Sequence, residues 1–593
     1  MKRLKTATLP LAMLLGLCAG PVLAQDSGTG IDLSFGNKLD PTGGAPTDCD
    51  PRGMSWLHAN HKRSPTGAIY ICAPEILYSQ VGDWQRSGHL SLGWLSTGGD
   101  DQSPNWLRFS DWDDGFVLGL LGLEFLRPYD GTYVELRASR ISSDNQYLKA
   151  TVGRAGKYKL EAFARSQPNI MSTNARSIWN GVGSNRLTLV DGLTPAASTL
   201  AQVTAASAGA TPMRLQVTRD KQGFALNYFF DSRWTGYFST TNEERRGARA
   251  FGGAFFFNFP FPANGGAHET PRPINDSTIN VNGGTRYVGR VWRMDLAYSG
   301  SFYRDRPASF TYENPYPLWA VVPGAASMSP LLGEFATEPD NDYHNIKASL
   351  TRKLAKNGEL SFDVAVGTMR QNDALLPPAN CSGNLGIDLS PTGSPVNPFL
   401  FDCADWNTTP SLSRKSADMR IDTNDANVNL VLFPNARTTV RAAAKFRRED
   451  YRNVYLAFNP LTGQYGYIAE NGAQGAVVPG EMGIWDTGAN SAVLTRVRSL
   501  PLDKETREVS FGGDFRLDRK NTLGATYVFS EVERTNRERE KTRDQRLKLT
   551  WANRSLDWMT FRANYQFLKQ TGSDYDYDPY EFTYSASLPG FTG

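Results

Sequence analysis

The sequence predicts an all-β fold, a large antiparallel transmembrane β-barrel, on three observations. Apolar and charged side chains alternate with period two over stretches of ten residues or more, the signature of strands with one dry and one wet face. Short turns alternate with long loops rich in Gly, Pro, Asn and Ser. Beyond the N-terminal stretch no run approaches the roughly 18 apolar residues that a membrane helix requires, so any crossing must use strands.

The first element is a leader. Lys2, Arg3 and Lys5 precede an apolar stretch from Leu9, and Val22, Leu23 and Ala24 end it before Gln25, which reads as a signal peptide over residues 1–24 and an exported chain. Cys18 follows Leu17 where a lipoprotein would have a small residue, so it is assigned to the leader. Residues 25–87 show little alternation and are assigned to an N-terminal periplasmic or lumen-lying extension, with the barrel over residues 88–593.

From there the strand grammar repeats. In KYKLEAFARS (157–166), Tyr158, Leu160, Ala162 and Ala164 form an apolar row; Lys157, Lys159, Glu161 and Arg165 form the other, broken only by Phe163. In 285–305, Trp292, Met294, Leu296 and Tyr298 stand against Arg293, Asp295, Ala297 and Ser299. Hairpins follow at 427–446, turning at Pro434 and Asn435, at 504–532, turning at Arg519 to Thr522, and at 546–568, turning around Asn553 to Leu556. Loops are assigned to 166–212, 242–284, 305–341, 370–418 and 452–503. Short turns on one side and long loops on the other are how outer-membrane barrels are built, the short ones periplasmic, and Trp234, Trp551 and Trp558 near strand ends suit interfacial girdles.

A soluble sandwich or secreted adhesin also alternates. Against it, strands of ten or more residues exceed the usual 5 to 6 of globular sheets and match the roughly 9 to 11 that cross a bilayer. Alternation marks roughly 18 to 22 strand-like segments. At that size the lumen outgrows its side chains and holds water, a plug or a partner.

Composition narrows function further. A mean hydropathy of −0.42 is compatible with a membrane barrel, whose lumen and loops are polar. The net charge of +3 comes from interleaved signs without a basic stripe, which gives no support to nucleic-acid binding. The cysteines are followed by DPR, APE, SGN and ADW, never by the spacing that attaches c-type haem, so no covalent haem is expected on this chain. No G-x-S-x-G, H-E-x-x-H or P-loop occurs, and no catalytic, cofactor-binding or metal-binding residue is assigned. His58 and His61 between Cys49 and Cys72, the run Asp111 to Gly115, and Asp574, Asp576 and Asp578 are read as a closed loop and solvated acidic segments. After the leader is removed Cys49, Cys72, Cys381 and Cys403 remain, and export favours two local disulfides, Cys49 with Cys72 and Cys381 with Cys403, among three pairings.

The polar rows supply the candidate site: Glu135, Arg137, Lys149, Lys159, Glu161, Arg441, Lys445, Lys548 and Arg562 as lumen-facing, partner-contacting residues. They would line a wetted pore or grip a soluble protein, and the pattern alone leaves both open.

Residues 131–190 carry a resemblance. A Y-V-E-L strand, an N-Q-Y-L strand, a G-K-Y-K-L strand and then S-T-N-A-R-S-I-W-N-G-V-G-S-N-R-L-T-L resemble the MtrB/PioB family of decahaem-associated outer-membrane β-barrels, most specifically at Asn180 to Ser184. The resemblance implies an integral barrel of the Gram-negative outer membrane with 20 or more strands. Because the chain stops at SASLPGFTG without a strand ending in an aromatic residue, C-terminal strands are expected to be missing. It implies a non-enzymatic sheath around a periplasmic decahaem c-type cytochrome, with an outer-surface multihaem cytochrome as a further partner. All haem would then belong to the partners, and electrons would cross the outer membrane for metal reduction or iron oxidation. A diffusion porin or nutrient-uptake channel is the alternative. The closely spaced N-terminal cysteine pair of some members has no counterpart in Cys49 and Cys72.

Overall fold

In lipid a strand has no water for its backbone and must pair on both sides. In the computed structural model of the chain, eighteen strands do so, each beside its sequence neighbours in the order of an up-and-down barrel. They are β1 (Ser79–Val81), β2 (Trp84–Leu95), β3 (Gly115–Arg127), β4 (Thr132–Ser139), β5 (Tyr147–Arg154) and β6 (Tyr158–Ala175). Next come β7 (Met213–Phe229), β8 (Trp234–Ala254), β9 (Ala267–Val288), β10 (Trp292–Asp305), β11 (Asn341–Leu354) and β12 (Gly358–Gln371). The last are β13 (Met419–Asn435), β14 (Thr438–Arg452), β15 (Lys504–Arg516), β16 (Asn521–Arg534), β17 (Lys541–Leu556) and β18 (Met559–Gly572). The structure describes residues 61–63, 69–71, 79–109, 114–254, 267–317, 324, 326–355, 357–377, 379–393, 400–453, 456–457, 459–461, 497–498, 502–556 and 558–576. The leader, Cys49, His58 and Cys72 lie outside them. No described helix is long and apolar enough to cross a membrane.

The chain divides into two compact units: residues 1–169, 218–244 and 279–285, and residues 170–217, 245–278 and 286–593. In the first, register separates the two faces of β3 to β6. Leu123, Leu136, Ala150 and Ala162 align on one face, and Glu124, Glu135, Thr151 and Glu161 on the other. Phe163, the interruption in the charged row, is 2% exposed. Its ring covers Gly223 of β7, where an added Cβ would meet Phe163 Cε1 at 2.5 Å. An aromatic ring over a strand glycine fills the gap that a missing side chain leaves.

The second unit carries β10 to β18 in continuous antiparallel pairing, with register shifts only at the turns near Leu432 and Asn553. One row reads Trp292, Arg352, Leu360, Leu430, Ala442, Phe511, Tyr527, Leu547, Phe567, apolar but for Arg352, whose guanidinium lies 5.0 Å from the Trp292 ring centroid. On β15 this face stays apolar from Val509 to Phe515. With Leu517 just past the strand end the apolar positions cover nine residues, within the roughly 9 to 11 that a tilted strand needs to cross a bilayer. Toward the long loops the same face turns charged, with Arg507, Glu531 and Arg543 in one row and Arg448, Glu505, Glu533 and Lys541 in the next. The strands therefore continue past the hydrocarbon layer on that side.

Segments assigned to loops fold. Strands Trp179–Asn180, Arg186–Leu189, Ser309–Glu313 and Leu332–Ala336 form a four-stranded sheet, with Arg186–Leu189 parallel to Ser309–Glu313. A helix, α1 (Leu200–Gly209), opens with a capping box between Thr199 and Gln202. Ile178, Trp179, Leu187, Leu189, Val203, Phe310 and Tyr312 form the dry core, with Phe251 of β8 against it. Asn314, fully buried, ties the sheet together: its Nδ2 donates to the carbonyls of Tyr316 at 2.7 Å and Pro330 at 2.9 Å, and its Oδ1 accepts from Tyr316 N. The loop expected over 242–284 is likewise largely strand, β8 running to Ala254 and β9 beginning at Ala267.

Candidate functional site

The polar face is built strand by strand from the same register. In the second unit the row Asp295, Ser349, Asp363, Asn427, Lys445, Glu508, Ser530, Asp544, Gln570 crosses nine strands without one apolar residue. Arg441, Lys548 and Arg562 share this face, because Arg441 aligns with Gly512, Lys548 with Thr526 and Gln566, and Arg562 with Ala552. In the first unit Glu135, Arg137, Lys149, Lys159 and Glu161 share the polar face of β4 to β6. Each group of candidates thus lies on one face of its unit.

Ion pairs organise most of them. Lys149 Nζ and Lys159 Nζ converge on Glu161 Oε1 at 2.8 and 3.1 Å, and Glu161 is only 7% exposed. Two cations sharing one carboxylate leave the cluster with a net positive charge. Arg137 Nη2 reaches Glu124 at 3.4 Å and Glu135 at 4.0 Å. Lys445 Nζ holds Glu508 at 2.9 Å across the β14 and β15 pairing, and Arg441 pairs with Asp514. Lys548 and Arg562 have no carboxylate partner among the described residues and are exposed. Sequence reading passed over the carboxylates Glu124, Glu508 and Asp514 and the small polar residues that complete the rows. Their signal was parity, since each stands an odd number of positions from the apolar row of its own strand, Glu124 from Leu123, Glu508 from Val509 and Asp514 from Phe515.

Other groups come to less. Cys381 and Cys403 form a disulfide with Cα atoms 5.6 Å apart, closing the 370–418 segment, and Asn407 Nδ2 donates to the Cys381 carbonyl at 2.7 Å. His344 Nδ1 lies 2.8 Å from the Tyr298 hydroxyl. Asp114 bonds the backbone N–H and hydroxyl of Thr97 at 2.8 and 2.6 Å, closing its own loop. Among the described residues no three His, Cys, Asp or Glu side chains gather as metal ligands.

A partly buried charged knot lies at the tall ends of β8 to β10, with Arg272 and Asp276 its buried members. Arg245 makes two 2.8 Å bonds to Asp276, and Arg272 pairs with Glu338 while stacking on Phe251 at 5.3 Å. Asp276 stands twelve residues above the β9 terminus at Val288, past the roughly 9 to 11 residues that cross a bilayer. Its neighbour Asp305 is pushed up to about 6, first by burial and then by the Asp276 charge, and burial also raises the Tyr303 hydroxyl.

With two-faced strands, an apolar band of bilayer height and a polar opposite face established, comparison with known proteins decides the family. Residues 100–588 match the family described as "Putative outer membrane beta-barrel porin, MtrB/PioB". This chain belongs to the MtrB/PioB family. It is 21% identical over 438 residues to "Outer membrane protein MtrB" of Shewanella baltica (strain OS185), covering 74% of this chain and 51% of that protein. The chain therefore spans about half the length of the curated relative it matches. Among solved structures it resembles the ferric-catecholate import receptor Fiu of E. coli K12, at 12% identity and a TM-score of 0.31, covering 82% of this chain and 63% of that one. It also resembles OmpT of Vibrio cholerae, at 10% identity and a TM-score of 0.21, covering 77% and 90%. Like its MtrB/PioB relatives, the chain is an outer-membrane β-barrel protein.

Proposed function

We propose that this chain is the barrel sheath of a periplasmic multihaem c-type cytochrome and lets electrons pass between periplasm and cell exterior. The nine-strand polar row is the observation that carries the reading. A wall of small polar groups, with ion-paired residues among them and Lys548 and Arg562 open, offers hydrogen bonds and charge to a protein surface while presenting nothing that would demand an apolar guest. Hydrocarbon roughly 30 Å thick excludes a polar cytochrome and exceeds a single electron-transfer step, so the barrel supplies the insulated passage and the guest supplies the haem. The protein's part is positioning and insulation, with no catalytic step of its own. An outer-surface multihaem cytochrome would meet the long-loop side, where the folded sheet of residues 179–336 and the charged strand ends stand clear of lipid. The porin reading uses the same wall to line water.

Purification from outer membranes in mild detergent separates the two. A c-type haem spectrum, with a haem-staining band in about one-to-one ratio to the barrel, is the expected result. A colourless barrel that conducts ions in planar bilayers would overturn the sheath and leave the porin.

A further inference from the structure

The apolar face of β14 to β18 is not uniform. The row Val440, Gly513, Ala525, Leu549, Tyr565 crosses it, and its two small members lie side by side on β15 and β16. Phe511 and Phe515 stand before and after Gly513, and Leu523 and Tyr527 flank Ala525 in the same way. The result is an apolar trough walled by Phe511, Phe515, Tyr527, Leu549, Trp551 and Tyr565. Its walls face outward, Phe511 and Tyr565 each 62% exposed. Strand pairing holds its floor down, because a Cβ on Gly513 would lie 2.7 Å from the Thr439 carbonyl oxygen.

The trough opens toward the short turns. Phe515, Leu523 and Trp551 are among the last apolar positions before the turns at 517–520 and 553–558, and short turns are periplasmic, which places the trough in the inner, phospholipid leaflet. Those turns are cationic: Arg437, Arg519, Lys520 and Arg554 are exposed, and none has a carboxylate partner among the described residues. The one described turn acid, Asp518, keeps its charge and offsets part of this. Asp518 accepts from Lys520 N at 2.6 Å, Asn521 N at 2.8 Å and Asn521 Nδ2 at 2.9 Å. Arg554 N donates to the Lys520 carbonyl at 2.7 Å and Lys520 Nζ to the Ser555 carbonyl at 3.4 Å, which sets the two cations on neighbouring turns.

We infer that this trough binds an anionic phospholipid of the inner leaflet, one acyl chain lying over Gly513 and Ala525 and the phosphate held at Lys520 and Arg554. An apolar slot in lipid takes an acyl chain whatever its headgroup, so the selectivity comes from the turns. Arg437, Arg519, Lys520 and Arg554 outnumber Asp518 at these turns, and the net positive charge favours a headgroup carrying net negative charge over a zwitterionic one, which brings its own ammonium.

The test uses the full chain reconstituted in bilayers of equal phosphatidylglycerol and phosphatidylethanolamine, released into mild detergent and weighed with its retained lipid by native mass spectrometry. About one phosphatidylglycerol per chain is expected, enriched several-fold over phosphatidylethanolamine. The double variant K520Q/R554Q, confined to exposed turns, should lower that retention about tenfold. A525L should lower retention of either lipid by filling the slot. Retention in the ratio of the mixture, undiminished retention by K520Q/R554Q, or a trough filled by lipopolysaccharide or a second copy of the chain would overturn the inference.

Discussion

At the scale of single residues, the stretch that most specifically marks the family has a structural explanation. Asn180 to Ser184 is the tight turn joining two strands of the small sheet. Gly181 and Gly183 have φ of 83° and 89°, and the Ser184 hydroxyl donates to the Gly181 carbonyl at 2.7 Å. The two glycines are not equivalent, since a Cβ on Gly181 would meet the Arg186 carbonyl oxygen at 2.4 Å while one on Gly183 would meet open space. Gly181→Ala is therefore expected to cost about 2 kcal/mol or more, combining left-handed backbone strain with the clash, and Gly183→Ala about 1 kcal/mol. Hydrogen exchange at the Leu187 and Leu189 amides checks it, with protection falling tenfold or more in the first variant and distinctly less in the second. Equal losses would contradict the steric account. The turn was visible in the sequence as a family mark, but its meaning was not, because the carbonyl that excludes a side chain lies five residues away and is placed only by the fold.

At the scale of elements, alternation revealed the strands where one face meets lipid and missed them elsewhere. β15 to β18 read plainly, because Val509, Phe511, Phe515 and Leu547 must be apolar on one side only. The upper part of β9, HETPRPINDST, read as a loop. Both faces are covered, Thr270, Arg272 and Asp276 being buried on one and Pro271 and Pro273 on the other, so no period-two signal survives. The same region supplies a pH dependence. Asp305 sits at about 6, above its ordinary value of 3.8, facing Asp276, Glu338, Arg272, the Thr337 hydroxyl and Tyr303. A carboxyl raised in the folded state favours folding while protonated, so its contribution is complete below the unfolded value and is lost as pH rises through about 6. Exchange protection of the ends of β9 and β10 should thus increase between pH 7 and 5. Asp305→Asn should flatten that step and raise protection at pH 7, and an unchanged step in the variant would remove Asp305 as its cause.

At the scale of the whole molecule, two faces with opposite chemistry follow from one alternating grammar, and register carries each row across many strands. What alternation could not say is which cations on the polar wall remain open, since that depends on Glu508 lying opposite Lys445 and on nothing acidic lying opposite Lys548 or Arg562. If the wall grips an anionic protein surface, K548E/R562E should weaken retention of the haem-bearing partner at least tenfold, more steeply at low salt, while leaving barrel folding by heat-modifiable migration intact. Equal retention would confine these residues to a wetted wall. The central claim is tested most directly in liposomes containing an enclosed redox dye and an external membrane-impermeant reductant. Barrel and cytochrome together are expected to reduce the dye within seconds, with the barrel alone and the cytochrome alone both inactive. Dye reduction by the cytochrome without the barrel, or none by the assembled pair, would contradict the account.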